Sequence, residues 1–299
     1  MRQTKLLAVL PEETTSYELK PLYHFLEQLD HFRKIHSIGC MLERHSLLQL
    51  PAVGTLGLST LTSGVLVQGY AAAPSHSAVE EMPQYRLFDD AWQGLREFYD
   101  GILTHEELTG VEFDDLTLSD SIAHYDAIAC LTRRSHSKRP SQLLLDLVRA
   151  GTHPIWICPE HFSGVASIVV AHSGDERLSP AIVLGQKLAA AWHTRLEVVV
   201  AGSNSHDLQF RVENVEKQLS QLCIKAELAV HLGHVSDIAE LLPVDHLLIA
   251  GGFRRWGMRR WLFGSHTETL LHAARGPMLI LPPNELLRQG TSDGLHLLS

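Results

Sequence analysis

The chain has 299 residues, 45% of them apolar, and a formal net charge of −9. That length gives room for two domains of ordinary size, each with enough apolar material for a core. The acidic balance argues against bulk nucleic-acid affinity, which rests on a basic surface.

In chain order, Lys5–Leu10 reads as a strand. Tyr17–Lys34 reads as a helix, because Leu19, Leu22, Tyr23, Leu26, Leu29 and Phe32 recur at helical spacing. Ile35–Leu42 reads as a second strand, so the opening is a strand–helix–strand unit and implies a parallel crossover. Residues 45–90 break the rhythm: they are apolar but rich in Gly, Ser and Thr, with no clear period, and read as an insertion or arm that covers a surface or a partner. No phosphate-loop motif occurs in them. A helix is expected over Phe88–Leu108 and a strand over Val111–Leu118. Tyr125–Thr132 is a buried strand, Gln142–Ala150 a helix and Pro154–Cys158 a closing strand.

A new unit begins at Ala166. Its strands are expected at Ala166–Ala171, Leu196–Ala201 and Lys225–Leu232, with helices at Leu178–Trp192, Asp207–Cys223 and Val235–Leu242. Leu247–Ala250 is a short apolar run ending in Gly251-Gly252, as a buried parallel strand reads. A basic loop follows with Arg254, Arg255, Arg259 and Arg260, then Gly264-Ser265. Ser265 suits an N-cap, with Glu268 placed as in a capping box. Gly276-Pro277 ends that helix, and Met278–Leu281 is the last strand. Strand, basic loop, helix and Pro-led strand recur in both halves, from Tyr125 and again from Val244, which makes an internal repeat of domain length. The first loop, R-R-S-H-S-K-R-P-S, has no glycine and cannot bring its backbone as close to a phosphate.

The C-terminal pattern resembles the universal stress protein family, whose last strand–helix unit carries G-x2-G-x9-G-[S/T]. Gly251 matches the first glycine, Gly264-Ser265 the closing pair and Gly257 a further loop glycine, while Arg254 stands where the second glycine belongs. The resemblance covers Ala166–Pro282 and implies an α/β fold: two tandem Rossmann-like units, each a five-stranded mostly parallel sheet flanked by helices. It divides the chain into a degenerate unit over 1–160, carrying the insertion at 45–90, and a second unit over 161–299. It further implies that the closing strands, Ile155–Ile157 and Leu279–Leu281, meet within one chain.

As ligand the resemblance implies ATP or AMP, held through His172, Val200, Gly251, Arg254, Gly257, Gly264 and Ser265. His172 takes the place of the family's adenosine-holding Asp; Asp175 lies three residues on. A neutral imidazole can stack on a base but cannot accept two hydroxyls as a carboxylate does. The first unit has Pro11 and Glu12 in the corresponding turn. Arg254 either forks onto a phosphate or plugs the site.

The other chemistries lack a pattern. No G-x-S-x-G and no carboxylate pair marked by spacing occur, so no catalytic residue is assigned. His153, Cys158 and His161, and the pair His231 and His234, lack the paired spacing of a zinc site, so no metal ligand is assigned. Cys40, Cys130, Cys158 and Cys223 are scattered, which fits free thiols in a reducing cytoplasm. The apolar start, K-L-L-A-V-L, is far too short for a signal peptide, and no run reaches membrane-span length. The leading expectation is a cytoplasmic stress-response regulator that binds ATP or a related nucleotide in its second half, with a protein partner or self-association. The alternative is a nucleotide-free interaction module that docks through residues 45–90, and an ATP-hydrolysing enzyme is the third and weakest reading.

Overall fold

A computed structural model describes residues 4–11, 19–32, 35–43, 107–108, 122–132, 142–172, 180–202, 204–251 and 265–282. The insertion at 45–90, the helix expected from Phe88 up to 106 and the strand expected at Val111–Leu118 lie outside these residues. The elements run β1 (Thr4–Pro11), α1 (Lys20–Phe32), β2 (Ile35–Glu43), β3 (Glu107–Leu108), β4 (Ala127–Thr132), α2 (Gln142–Ala150) and β5 (Ile155–Pro159). There follow β6 (Ser167–His172), α3 (Pro180–Trp192), β7 (Arg195–Gly202), α4 (Ser205–Gln221), β8 (Glu227–Leu232), α5 (Val235–Leu241), β9 (His246–Gly251), α6 (Ser265–Ala273) and β10 (Met278–Leu281). Glu107–Leu108 corrects the expected helix end: these residues pair in parallel with Cys40 and Met41, so the open edge of β2 overrides the local helical preference.

All ten strands form one sheet in the order β3-β2-β1-β4-β5-β10-β9-β6-β7-β8. Read outward from the middle, each run of five follows the same order of first appearance in the chain. Within each run every pairing is parallel. β9 and β10 are parallel neighbours with Leu248 opposite Met278, as the strand–helix–strand order at the C-terminus predicts. Among the described residues the one antiparallel pairing is β5 with β10, where Ile157 faces Met278, Trp156 faces Leu279 and Ile155 faces Ile280. The Ile128 N–H donates to the Pro154 carbonyl as the Leu248 N–H does to the Pro277 carbonyl, so Ala129 corresponds to Ile249 and their partners Trp156 and Leu279 correspond as well. The pair Trp156–Leu279 therefore lies on a half-turn that exchanges Ile157–Met278 with Ile155–Ile280, and the middle of the sheet is a pseudo-twofold joint.

Strand alternation sends successive side chains to opposite faces, and each face carries a core that runs through both halves. On the first face, α1, α3 and α4 cover the sheet through residues such as Leu22, Leu26, Leu184, Leu188 and Val215. On the second, α2, α5 and α6 do so through Leu144, Leu147, Ile238 and Leu270. The uninterrupted apolar strands follow from this double covering, since a sheet buried on both faces has no polar side. Among the described residues no helix is long and apolar enough to cross a membrane.

Over the joint, aromatic rings bind the halves together. The Phe25 ring of α1 meets Phe162 edge-on at 5.2 Å and Trp156 at 5.6 Å, and Trp156 lies 6.4 Å from Trp192 of α3. The Trp192 Nε1–H donates to the Gln28 carbonyl of α1 at 2.9 Å, so the half-buried indole also satisfies its polar atom across the two halves. Trp156 is 4% exposed at the centre of this chain of rings. Replacing Trp156 with Ala is expected to destabilise the protein by about 3–5 kcal/mol, the cost of emptying an aromatic core site. Urea unfolding of the variant against the parent measures it, and a loss under about 1 kcal/mol would show that the joint does not depend on this ring.

Candidate functional site

In an open α/β sheet, ligands sit beyond the carboxyl ends of the strands at the point where the strand order reverses. In the second half that point lies between β6, whose chain crosses outward to β7, and β9, whose chain crosses inward to β10. Three of the residues singled out in the sequence meet here. His172 is the last residue of β6 and Val200 of β7 is its register partner. Gly251 ends β9, two residues after Ile249, which pairs with Val170. Val170, Val200 and Ile249 all belong to the first-face core, so alternation places His172, Val200 and Gly251 on that same face.

The chemistry of this row differs from that of a carboxylate site. His172 is fully buried, and burial lowers its pKa from 6.5 to about 4. The imidazole is therefore neutral near pH 7 and able both to donate and to accept. Val200 is buried beside it and contributes only apolar surface. Gly251 adopts φ 108°, a conformation that glycine alone adopts without strain. A Cβ there would collide with the Leu281 carbonyl oxygen and lie 3.0 Å from the Leu281 nitrogen. The space expected for a close ligand approach is thus occupied on this side by the backbone of β10, and the glycine is required by strand packing.

Arg254, Gly257 and Gly264 lie outside the described residues. Ser265 opens α6 as its first residue, one position inside the helix from the N-cap place expected for it. α6 packs on the second face through Leu270, opposite the face that carries His172 and Val200. Only the carboxyl ends of the strands bring the two sets of residues to one end of the sheet. In the first half, register places Leu10 where the second has His172, and Leu131 where it has Gly251. Leu131 keeps its side chain, buried in the first-face core, without a positive φ, so the positive-φ turn of the second half has no counterpart there.

The remaining histidines resolve into local structure. Asp237 Oδ2 accepts from the His234 backbone N–H at 2.8 Å and lies 3.7 Å from His231 Nε2, closing the start of α5. The His234 N–H bond holds the Asp237 carboxyl below the usual carboxylate range. The pair His231 and His234 singled out in the sequence thus belongs to this helix start. His153 shares a 2.8 Å hydrogen bond with Thr152, while exposed His161 lies 3.4 Å from Glu160. Cys158 is buried, and burial raises its thiol pKa well above the ordinary value. Among the described residues no group of three His, Cys, Asp or Glu is arranged to hold a metal ion.

The burial of His172 has a consequence for stability. Its folded pKa lies below the unfolded value of 6.5, so the unfolded chain binds the proton more tightly. The stability it permits is complete above about pH 6.5 and falls as pH drops towards 4, by about 3 kcal/mol in all. Urea unfolding at pH 7.5 and pH 4.5 should therefore show a larger acid loss in the parent than in His172→Met, by about 2–3 kcal/mol. Equal losses would contradict the buried neutral imidazole.

No family model and no curated protein matches this sequence. Solved structures do match its fold. A protein from Pseudomonas aeruginosa assigned to the universal stress proteins is 14% identical with a TM-score of 0.59, over 99% of this chain and 96% of that one. A universal stress protein from Archaeoglobus fulgidus is 12% identical with a TM-score of 0.58, over 93% and 96%. The cytoplasmic domain of a prokaryotic cation chloride cotransporter is 11% identical with a TM-score of 0.51, over 99% and 100%. The strand order, the paired halves and these alignments along nearly the whole chain agree: this protein has the fold of the universal stress proteins.

Proposed function

We propose that this chain is a tandem universal stress protein in which residues 161–299 form a ligand-binding unit and residues 1–160 a degenerate copy. It acts in the cytoplasm as a stress-response regulator that binds ATP, AMP or a related nucleotide, and not as an enzyme. One observation carries the reading: His172, Val200 and Gly251 stand side by side at the strand-order reversal of the second half. In this reading the neutral His172 imidazole and the Val200 side chain serve the base, through hydrogen bonding and apolar contact. Arg254, Gly257, Gly264 and Ser265 serve the phosphates, because the start of α6 offers unpaired N–H donors and a positive dipole end to an anion.

A second reading is a nucleotide-free interaction module docking through residues 45–90. It is favoured by two features of the same site: His172 is fully buried, and the void at Gly251 is filled by Leu281.

Calorimetry with ATP and AMP separates the readings. If the nucleotide reading holds, the parent binds and Gly264→Val abolishes binding while the far-ultraviolet circular dichroism is retained. If Arg254 is a phosphate ligand, Arg254→Gly weakens binding by about tenfold, roughly 1.4 kcal/mol. If Arg254 is a plug, the same change creates or strengthens binding. No heat from the parent or from either variant would overturn the nucleotide reading in favour of docking.

A further inference from the structure

Among the described residues β8 is an outer edge of the sheet and pairs with β7 alone. Its register sets Leu228 against Val198, Val230 against Val200 and Leu232 against Gly202. Val198 and Val200 face the first core, so Leu228, Val230 and Leu232 line that face of the edge. Val198 and Val200 inside the sheet are buried, yet Val230 is 56% and Leu232 66% exposed.

An edge strand offers unpaired N–H and C=O groups, and soluble proteins blunt such edges with lysine, proline, bulges or brevity. The opposite edge, β3, is two residues long. β8 has six residues, without lysine, arginine or proline, and its only carboxylate is Glu227 at the start. The exposed side chains and the unpaired backbone coincide on one strand, which is the form of a site for strand addition.

The middle of the same sheet shows how strands of this protein join edge to edge: antiparallel, about a half-turn that exchanges equivalent residues. We propose that two copies of the chain associate in the same manner through β8, paired antiparallel about a true twofold axis at Val230. A twofold contact uses one patch on both partners and closes at two copies. With the axis at Val230, each Val230 meets its copy, Leu228 lies opposite Leu232 and Glu227 lies opposite Gly233, so no like charges oppose one another. Apolar side chains that are wet in one copy become a continuous strip across two, and one sheet runs through the dimer.

The test is the mass of the full-length protein by size-exclusion chromatography with light scattering. The parent is expected at twice the chain mass, and Val230→Lys at the mass of one chain at the same loading. Val230 is exposed, so the variant should keep the parent's circular dichroism and urea midpoint; this control confirms that mass is lost through the edge. In a Cys223→Ala background, chosen because Cys223 is an exposed thiol, Val230→Cys should form a covalent dimer on mild oxidation. Directly opposed residues of an antiparallel pair fall within disulfide reach. A monomeric parent, a dimer that persists in Val230→Lys, or no covalent dimer from Val230→Cys would each overturn the proposal.

Discussion

The structure depends on the antiparallel meeting of β5 and β10. Each run of five strands would otherwise end on a strand whose residues are apolar on both faces. Left open, such an edge would expose both unpaired backbone groups and large side chains to water. Joined, Trp156, Ile157, Met278 and Leu279 are all buried, and the cores on both faces run through the whole chain. The hydrogen bond from Trp192 to the Gln28 carbonyl and the rings from Phe162 to Trp192 add a second tie above the joint. The helices, the strand ends and the candidate site take their places from this frame.

Much of the frame was legible because the signals were local. Short apolar runs between helical stretches mark strands covered on both faces, and nine of the ten strands fall within two residues of their expected bounds. Asn204 starts α4 two residues before the apolar period begins, since its side chain accepts from the His206 N–H and caps the helix. β3 was not legible: two residues owe their strand character to β2 alone. The joint itself was reached through the family resemblance, not through any property of Ile155–Pro159 taken singly.

The site was legible in position more than in chemistry. The family resemblance picked out His172 and Gly251, and the sheet puts them with Val200 at the strand-order reversal. Sequence carries no account of burial, so it did not show that His172 is shut off from solvent and held neutral. Nor did it show that Gly251 owes its identity to the Leu281 backbone. A glycine in a ligand motif reads as room for the ligand, while here the same missing side chain makes room for the next strand. The two requirements are compatible at one residue, which is why spacing alone does not separate them. The same frame explains why the first half diverges: with Leu131 and Leu10 at the equivalent positions it keeps the sheet, and loses only the turn.

If the joint makes one body of the two halves, they share one folding transition, because each core draws residues from both. The direct measurement is equilibrium urea unfolding followed by tryptophan fluorescence and by far-ultraviolet circular dichroism. The account predicts one transition, coincident by both probes, with a denaturant slope that matches the surface exposed by the whole chain. Two separated transitions, or probes that disagree in midpoint, would contradict it and show that each half stands by itself.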